Sequence, residues 1–589
     1  MIVLGLIDSK PSTAAVVADG KILSAIAEER LCRMKLASGM PRQAITAVLA
    51  AAGVASSDVD RVAVAQRVSV FEPEPIPWTG WFDDLDRQKT SRFDLLSARL
   101  APVAGRFSFA WQAHHRLKAL VSRERRRSLP ALLRDQYGLR VPIDFHDHHF
   151  CHATSAYYTS GFDRALVVTL DGGGDGRSGS VWIGEGGHLR EIGSVDSFNS
   201  LGNFYSYVTE LCGFRAEKHE GKITGLAAFG RPDYLDSFRQ LIRYREPGNI
   251  QYLVPMYHVS ALKEIRKRLP ADPDHAALAA SVQAILEEIG ISFVQYWLRK
   301  TGLRNLAVAG GVFANVKFNQ RLHELDEVDR IFIHPGMDDG GLSVGSALAS
   351  LAARAPDPLT LCTELPDVYL GPLHTGREIE EAIREAGLTA TREPRIHESI
   401  ADLLARGAVV ARFHGRMEYG PRALGHRSIL YQTTDPSVND WLNKRLQRTE
   451  FMPFAPATLA RCANECFQGV AGAESAARFM TITFACTNEM RRASPGVVHV
   501  DGTARPQLVD PETAPDLHRI VSAYHSRTGI PSVVNTSFNM HEEPIVCTPS
   551  DAIRAFQRGG LDYLAIGDWL VPHPRPTDQH PSGQRHRAT

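Results

Sequence analysis

The sequence predicts an α/β fold divided into at least two domains. The chain has 589 residues, which is more than one hydrophobic core usually serves. Short apolar runs typical of buried strands alternate along it with amphipathic patterns typical of helices. Three of these runs lead into glycine together with aspartate or asparagine. Because ligands of open α/β sheets bind outside the carboxyl ends of the strands, we expect the functional site at this edge of the sheet.

The amino-acid composition argues against some classes of function. Lys plus Arg and Asp plus Glu both number 66, so the net charge is zero, which argues against a protein that coats nucleic acid. An apolar content of 44% and a charged content of 22% are ordinary for a soluble globular protein. We expect no membrane span and no secretory leader. The eight scattered cysteines are typical of reduced thiols, which predicts a cytoplasmic protein.

The amino-terminal residues read as three strands, at residues 2–7, 13–17 and 21–27. Asp8 stands directly after the first of them. A strand, an acidic residue, a small-residue turn and a second strand open actin-like and hexokinase-like nucleotide folds, although any β-hairpin gives a similar pattern. Residues 70–140 combine an irregular Pro-rich and Trp-rich stretch with a basic helical one, and we interpret them as a variable insertion.

The first candidate site is rich in histidine. His148 and His152 are four residues apart, so on a helix both imidazoles leave the same face, which suits a two-histidine metal site. The apolar run 165–170 predicts a buried strand that ends in Asp171. Two histidines and a carboxylate suit iron, manganese or zinc. A histidine pair at this spacing is nevertheless more often packed or hydrogen-bonded than metal-bound, so the interpretation needs further residues.

Other strand ends supply candidates for these further residues. Asp339, with Asp338 beside it, follows one apolar run, and Gly310 and Asn315 follow another. Lys222 lies among small residues that allow a close backbone approach, and its ammonium group suits a phosphate or a carbonyl. The convergence of several such turns favours a site for a nucleotide and a metal.

The second part of the chain has a different character. Residues 353–366 are Pro-rich and unpatterned, which predicts a linker before a second domain at 367–574. The polar tail at 575–589 is expected to be disordered.

Arginines on glycine-rich loops are the main feature of this second domain. Arg416, Arg448 and Arg505 lie in such loops, and forked guanidinium groups suit the recognition of phosphates. Ser537 and Asn539 are alternate residues that face the same side of an extended segment. The alternative is a set of solvated surface arginines, but these arginines stand beside Gly and Pro and not on helix faces.

Taken together, the motifs resemble those of the ATP-dependent O-carbamoyltransferases of antibiotic and nodulation-factor biosynthesis. The matching segments are EERLCRMK (28–35), HHFCHA (148–153), LDGGGDG (170–176), EGKITGLAAFG (220–230), AGGVFANV (309–316), DDGGLSVG (338–345), GRMEYGPRALGHRS (415–428), RTEFMPFAP (448–456), DGTARPQ (501–507) and NTSFN (535–539). The resemblance extends from about Met1 to about Val571, apart from portions of residues 70–140.

The resemblance implies an actin/hexokinase-like first domain at residues 1–352 and a YrdC-like α/β domain at 367–574. In this family the second domain makes carbamoyl-adenylate from carbamoyl phosphate and ATP, with Mg²⁺, and releases pyrophosphate. The first domain holds a divalent metal, typically Fe(II), and passes the carbamoyl group to a hydroxyl. For this chain we expect a small hydroxylated acceptor, such as a natural product or a glycan. Nucleic acid is not an expected partner, and a homodimer is one expected assembly.

The resemblance also implies residue roles. His148, His152, Asp171 and Asp339 match metal ligands, with Asp338 as the rival of Asp339. Residues that match contacts of carbamoyl-adenylate, ATP or carbamoyl phosphate are Lys222, Gly310, Asn315, Arg416, Arg448, Arg505, Asn535, Ser537 and Asn539. His149 points to another helix face, so it matches an outer or substrate-side role. A general base must take the hydroxyl proton, and either His149 or an aspartate suits that role.

Some positions depart from the family pattern. Asp8 is followed by Ser9 and Lys10 where a His-Asp pair is common, which suggests an unusual acceptor. His414 stands where Gln is common, and Lys444 lies four residues before Arg448 instead of two. Two other enzymes remain as alternatives, a threonylcarbamoyl-type tRNA-modifying enzyme and an actin-like sugar kinase. The zero net charge argues against the first, and the arginine-rich second domain argues against the second.

Overall fold

The structure is a computed structural model that describes residues 1–78, 80–82, 122–449 and 451–574. Most of the predicted insertion, including the sequence pair His114 and His115, lies outside the described residues. The predicted disordered tail at 575–589 lies outside them as well.

The first sheet described has five strands, β1 (Ile2–Ile7), β2 (Thr13–Ala18), β3 (Lys21–Ala27), β4 (Arg61–Ala65) and β5 (Ile143–His146). Their order is β3-β2-β1-β4-β5. β1, β2 and β3 are antiparallel neighbours, and β4 and β5 continue parallel to β1. Nearly all side chains of β1, β2 and β4 are buried, which is why these runs are apolar throughout instead of alternating with polar residues.

The second sheet repeats this arrangement. The strands that follow are β6 (Arg164–Gly174), β7 (Arg177–Glu185), β8 (His188–Asp196), β9 (Ile242–Arg245), β10 (Asn249–Tyr252), β11 (Asn305–Ala309) and β12 (Arg330–Ile333). The sheet order is β12-β11-β6-β7-β8, with β6 to β8 antiparallel and with β11 and β12 parallel to β6. β9 and β10 form a separate hairpin. The duplicated five-stranded unit confirms the predicted actin- and hexokinase-like fold of this part.

Helices cover both sheets and separate them. In the first part of the chain they are α1 (Glu28–Cys32), α2 (Arg42–Ala52), α3 (Ser122–Tyr137), α4 (His148–Tyr158), α5 (Leu201–Leu211), α6 (Glu220–Leu226), α7 (Leu235–Arg239), α8 (Val259–Arg266), α9 (His275–Thr301), α10 (Val316–His323) and α11 (Leu342–Ala352). α11 packs on β1, β2 and β4, and α4 packs on β6 and β11, so this helix pair lies between the sheets. A side chain at Gly345 would place its Cβ 1.9 Å from the carbonyl oxygen of Cys151, so the two helices approach closely only with glycine there.

The second part of the chain is a mixed α/β unit. Its strands are β13 (Thr391–Arg392), β14 (Val410–Phe413), β15 (Arg427–Gln432), β16 (Ala455–Leu459), β17 (Phe484–Ala485), β18 (Thr503–Ala504), β19 (Gln507–Val509), β20 (Ser532–Ser537), β21 (Tyr563–Ile566) and β22 (Trp569–Pro572). All but β17 and β18 form one sheet, in the order β13-β22-β21-β14-β15-β20-β16-β19. Its helices are α12 (Gly376–Glu385), α13 (Ile396–Ala405), α14 (Val438–Arg445), α15 (Ala463–Cys466), α16 (Glu474–Arg478), α17 (Asn488–Ala493), α18 (Pro515–Thr528) and α19 (Pro549–Gly559). The α/β class predicted for this part is confirmed.

Helix α9 is long and apolar enough to cross a membrane by length and composition alone. However, 72% of its most apolar window is buried inside the protein. It contacts α5, α6, α7 and α10 and the strands β6, β9 and β10, as the central helix of a packed domain does.

A buried ion pair fastens α3 to the first sheet. Arg125 of α3 and Asp8, which follows β1, have side chains that are 0% and 1% exposed. The guanidinium group donates to both oxygens of Asp8 and to the carbonyl oxygens of Ala65 and Gln66. The described carboxyl-terminal part of the predicted insertion is therefore a packed component of the domain.

Removing one member of this pair should destabilise the first domain. Arg125→Ala leaves the Asp8 carboxylate buried without its cation, at an expected cost of about 3–5 kcal/mol in the free energy of unfolding. Urea unfolding measures it, with the exposed Arg127→Ala on the same helix as the control, expected within about 0.5 kcal/mol of wild type. The double variant Asp8→Asn/Arg125→Met should recover part of the loss. Equal stability of Arg125→Ala and Arg127→Ala contradicts the assignment.

Candidate metal centre

Helix α4 presents the two histidines that the sequence singles out. The carboxylate of Asp147 accepts a hydrogen bond of 3.1 Å from the backbone N–H of Phe150, which caps the helix start. His148 and His152 are therefore one turn apart on the same face, with ring centroids separated by 4.8 Å. Both side chains are buried. The sequence prediction of a shared face is confirmed.

The two carboxylates approach these imidazoles from the second sheet. Asp171 lies near the carboxyl end of β6, and Asp339 opens the 3₁₀ turn Asp339–Gly341 after β12. His148 Nε2 is 2.7 Å from Asp171 Oδ2 and 3.6 Å from Asp339 Oδ1. His152 Nε2 is 3.4 Å from Asp171 Oδ2 and 3.3 Å from Asp339 Oδ1. The parallel neighbours β6, β11 and β12 bring residues that are far apart in sequence to one edge.

The four residues fit a divalent metal ion. One ligand atom from each of His148, His152, Asp171 and Asp339 lies within 4.8 Å of the others. His152 Nε2 is buried and has no hydrogen-bond partner among the described residues. Buried polar atoms are normally satisfied, so a buried nitrogen that faces both carboxylates without a hydrogen bond indicates a missing partner. Two imidazoles and two carboxylates are ligands for iron, manganese or zinc.

The pKa of each residue in the cluster depends strongly on the charges of the others. Burial lowers the pKa of His148, but Asp339 and Asp171 oppose it and bring that pKa to about 10. The same carboxylates, against burial, raise the pKa of His152. Burial raises the pKa of Asp171, yet the histidines His149 and His148 outweigh it and the pKa falls below the ordinary range. The carboxylates are thus held charged, which is the state that binds a metal cation.

Asp338 and His149 have other positions. Asp338 Oδ1 accepts a hydrogen bond of 3.0 Å from the N–H of Gly340, and burial together with Asp339 raises its pKa. His149 is fully buried, with Nδ1 2.8 Å from the Thr169 hydroxyl and Nε2 3.4 Å from the outer oxygen of Asp171. His149 therefore supports Asp171 from behind, and burial holds its pKa at about 4. An imidazole held behind Asp171 orients that carboxylate.

A cavity of about 460 Å³ opens directly from the metal-ligand cluster. Asp171, Asp338 and Asp339 are among its lining residues. Residues 418–422 of the EYGPR segment, in the second part of the chain, line it as well. Further charged and polar groups along the walls are Lys10, Glu29, Arg30, Lys35, Glu217, Lys218, Glu220 and Asn315. The cavity therefore joins the candidate metal centre to the second domain.

The remaining predicted residues of the first part take three different places. Asn315 lines the cavity and is held by Gln283, which accepts from its amide at 2.7 Å. Gly310 has a φ of +111°, and a Cβ there would lie 2.2 Å from the carbonyl oxygen of Leu170, so its role is to let β6 and β11 meet closely. Lys222 is not a lining residue of the cavity. It is buried and donates to the Thr449 hydroxyl at 2.8 Å, across the boundary to the second part.

In the second part, Arg448 is bound to the NTSFN segment. Its guanidinium group donates to the Thr536 hydroxyl at 3.1 Å, to the carbonyl oxygens of Ser537 and Asn539 at 2.6 Å, and to the side chain of Asn539 at 2.8 Å. Arg448, Ser537 and Asn539 are thus brought together as the sequence predicts. Arg505 precedes β19, which is close to this group in the sheet.

Asn535 and Arg416 link separate segments of the chain through hydrogen bonds. The Asn535 amide donates to Gln507 at 2.7 Å, and Gln507 donates to the carbonyl oxygen of Leu424 at 2.9 Å, which links NTSFN, DGTARPQ and GPRALG. Arg416 donates to three carbonyl oxygens, those of Gly371, Leu370 and, in β3, Leu23. Its guanidinium group is therefore bound by backbone carbonyl oxygens. One of these, that of Leu23, belongs to the first sheet.

Sequence reasoning missed the arginines that hold the two parts together. Arg30 donates to the carbonyl oxygen of Gly420 at 3.0 Å and lines the cavity. Arg33 donates at 2.7 Å to the carbonyl oxygens of both Pro544 and Ile545. The only signal in the sequence was the EERLCRMK segment, which carries both arginines. No local pattern shows that their partners are backbone groups several hundred residues away.

Comparison with known proteins identifies the family. The model for the carbamoyltransferase amino terminus matches residues 101–348, and that for the carbamoyltransferase carboxyl terminus matches residues 401–573. Nodulation protein NolNO of Sinorhizobium fredii is 31% identical over 95% of this chain and 78% of its own length. The chain belongs to the carbamoyltransferase family. Another relative, nodulation protein NolO of Bradyrhizobium diazoefficiens, is 36% identical over 72% of this chain and 78% of its own length.

Solved structures are more distant from this carbamoyltransferase. Component A of the (R)-2-hydroxyglutaryl-CoA dehydratase of Acidaminococcus fermentans is 14% identical, with a TM-score of 0.34, over 60% of this chain and 100% of its own. HypF of T. kodakarensis is 14% identical, with a TM-score of 0.22, over 38% of this chain and 39% of its own. At these values the likeness carries no conclusion about function.

A matched pair of aspartate variants tests the ligand assignment. Asp339→Asn should weaken binding of Fe²⁺ or Co²⁺ by at least roughly 100-fold, because it removes one of the charged ligands. Asp338→Asn, one residue earlier, should keep the wild-type affinity. Metal titration of the chelator-treated protein measures both. The ligand set is wrong if the two variants exchange these results, with Asp338→Asn losing the metal.

Proposed function

We propose that this carbamoyltransferase is an ATP-dependent O-carbamoyltransferase that works in two steps. Carbamoyl phosphate, ATP and one water give carbamoyl-adenylate, phosphate and pyrophosphate in the second domain, where Mg²⁺ accompanies ATP. The first domain then transfers the carbamoyl group to a hydroxyl of a small acceptor, with release of AMP. The observation that carries the proposal is the cavity that runs from the metal-ligand cluster to the EYGPR segment.

The first step needs positive charge and a preorganised anion site. Phosphate groups of ATP and carbamoyl phosphate repel each other, so guanidinium groups and Mg²⁺ are needed to hold them together. Arg448 donates to the carbonyl oxygens of Ser537 and Asn539, so it lies beside two other predicted contacts of ATP or carbamoyl phosphate. Arg505 is the second candidate. The carbonyl partners of Arg416 belong to Gly371, Leu370 and Leu23, none of which is a predicted substrate contact, so Arg416 is a weaker candidate for contact with phosphate.

The second step needs a polarised carbonyl and a proton acceptor. His148, His152, Asp171 and Asp339 would hold the metal, which as a Lewis acid polarises the carbamoyl carbonyl when bound. Asp338 lines the cavity beside these residues and can take the proton of the attacking hydroxyl. His149 is fully buried behind Asp171, so among the candidates for the base the geometry favours Asp338.

The cavity between the two parts of the chain supports the use of an unstable intermediate. Carbamoyl-adenylate is lost to hydrolysis when water reaches it, so its transfer benefits from a path inside the protein. Lining residues from both parts of the chain, such as Arg30, Tyr419 and Arg422, make the cavity suitable as this path. The acceptor then enters near Lys10, where the chain departs from the family pattern.

The two alternative enzymes have less support. A sugar kinase needs a free acidic group for its metal and phosphates, but Asp8, which follows β1, is buried and paired with Arg125. A tRNA-modifying enzyme relies on basic surfaces, whereas the net charge here is zero. Both alternatives also leave the match to the carboxyl-terminal carbamoyltransferase model without a role.

The products formed from ATP distinguish carbamoyl transfer from phosphoryl transfer. We expect wild-type protein, incubated with ATP, carbamoyl phosphate, Mg²⁺, Fe²⁺ and a panel of hydroxylated metabolites, to release pyrophosphate and AMP and to form a carbamate ester. Phosphate and nucleotide analysis with mass spectrometry of the acceptors measures this. Release of ADP together with a phosphorylated acceptor would establish a kinase instead.

Two variants separate the steps. His148→Ala should keep carbamoyl-phosphate-dependent pyrophosphate release and lose transfer by at least roughly 100-fold, because it disturbs only the metal centre. Arg448→Ala should lose pyrophosphate release and leave bound metal unchanged. The metal content of each purified variant is the control. If both variants lose pyrophosphate release to the same degree, the division of labour between the domains is wrong.

A further inference from the structure

A second group of metal-binding side chains lies in the second domain, away from the cluster of the first. It consists of His397 on α13, His414 after β14, His426 before β15 and Asp516 in the first turn of α18. Three of these, His414, His426 and Asp516, offer ligand atoms that lie within 4.8 Å of one another. None of the four is a ligand of the candidate metal centre or a lining residue of its cavity.

The distances are those of ligands around one ion. His414 Nε2 is 3.1 Å from one oxygen of Asp516, and His397 Nε2 is 3.1 Å from the other. Two atoms that are each about 2.0–2.1 Å from a tetrahedral ion lie roughly 3.3 Å apart. His397 Nε2 is buried yet has no aligned hydrogen-bond partner among the described residues. A hydrogen bond explains the distance between His414 Nε2 and the Asp516 carboxylate. It does not explain the distance between His397 Nε2 and the same carboxylate.

The imidazole of His426 is fixed in the tautomer that binds metal. Its Nδ1 is 2.7 Å from the carbonyl oxygen of Arg416, which only accepts, so Nδ1 carries the hydrogen. Nε2 therefore keeps its lone pair. A backbone carbonyl on the far nitrogen is the usual support of a metal-bound histidine. The ring also stacks on Tyr369 at 3.7 Å, which holds its plane.

A cation can reach the cluster. Arg412 repels a cation, but its guanidinium group donates to the carbonyl oxygen of Gly425, and the Asp516 carboxylate faces the cluster. The side chains of His414 and Asp516 are 24% and 27% exposed, so an ion can enter from solvent.

We propose that His414, His426 and Asp516, with His397 beside them, form a binding site for a first-row divalent metal ion of the Zn²⁺ type. Two imidazoles and one carboxylate, with a third imidazole on the other oxygen of that carboxylate, suit Zn²⁺. They do not match Mg²⁺, which requires oxygen ligands and bound water. The site is thus distinct from the magnesium that accompanies ATP.

The bound ion fastens the segment between His414 and His426, which contains GRMEYGPRALG, to helices α13 and α18. The proposal does not depend on the reaction assigned above.

The test uses the full chain with the first site removed by His148→Ala/His152→Ala. In this background we expect one Zn²⁺ per chain, measured by competition with a chromophoric chelator, and a visible absorption band with Co²⁺. Adding Asp516→Asn should lower the Zn²⁺ affinity at least tenfold. Adding His414→Gln, at a partly exposed position that tolerates substitution, should do the same. His525→Gln, on the same helix α18 but outside the cluster, is the matched control.

Each result decides the proposal. It stands if Asp516→Asn and His414→Gln both lose Zn²⁺ affinity relative to His525→Gln while far-ultraviolet circular dichroism shows all three folded. It fails if the background chain binds no Zn²⁺, or if both variants bind Zn²⁺ like the control. If one of the two variants does not fold, the other decides alone. Loss of pyrophosphate release with normal Zn²⁺ binding in the background chain overturns the proposed reaction and not the site.

Discussion

Two carboxylates that face the same pair of imidazoles set the main constraint on this structure. Asp171 is 4% exposed, and Asp339 lies 3.3 Å from the same histidine nitrogen that Asp171 approaches at 3.4 Å. Negative charges cannot stay together in a low-dielectric interior unless positive charge compensates them. The histidines supply part of that compensation, and the geometry leaves room for a metal ion to supply the rest. The cavity, the inter-sheet helices and the second domain are arranged around this requirement.

The architecture provides the cluster with a rigid frame. α4 carries the histidines and α11 packs against it between two sheets of the same topology, so both layers fix the position of the imidazoles. Asp171 lies within strand β6, and Asp339 opens the 3₁₀ turn that follows β12, so both carboxylates start from regular backbone. A metal centre built from such elements keeps its geometry without help from flexible loops. The adjoining cavity can therefore be shaped by loops while the centre stays constant.

Much of this was predictable because the relevant signals are local. The four-residue spacing of His148 and His152, the apolar run before Asp171 and the glycines after Asp339 each report a backbone element and its end. The side chains that a residue meets across the fold are not local. Arg416 reads as a phosphate ligand in sequence but donates to backbone carbonyls, and Lys222 faces Thr449 instead of the cavity. The strand predicted to end at Asp171 continues to Gly174, since Gly174 is still paired with Arg177 of β7 after a shift of register.

The contact between the two parts of the chain, which includes Arg30, Arg33 and Arg416, has a consequence for how such enzymes diversify. Arg30, Arg33 and Arg416 all cross it by donating to carbonyl oxygens, which every residue type provides. The side chains at positions 544 and 545 can therefore be substituted without loss of these contacts, provided that the backbone conformation is unchanged. A guanidinium group also keeps its charge at every physiological pH. Lineages that alter the acceptor pocket of one domain can in this way retain, or even exchange, the other domain as a unit.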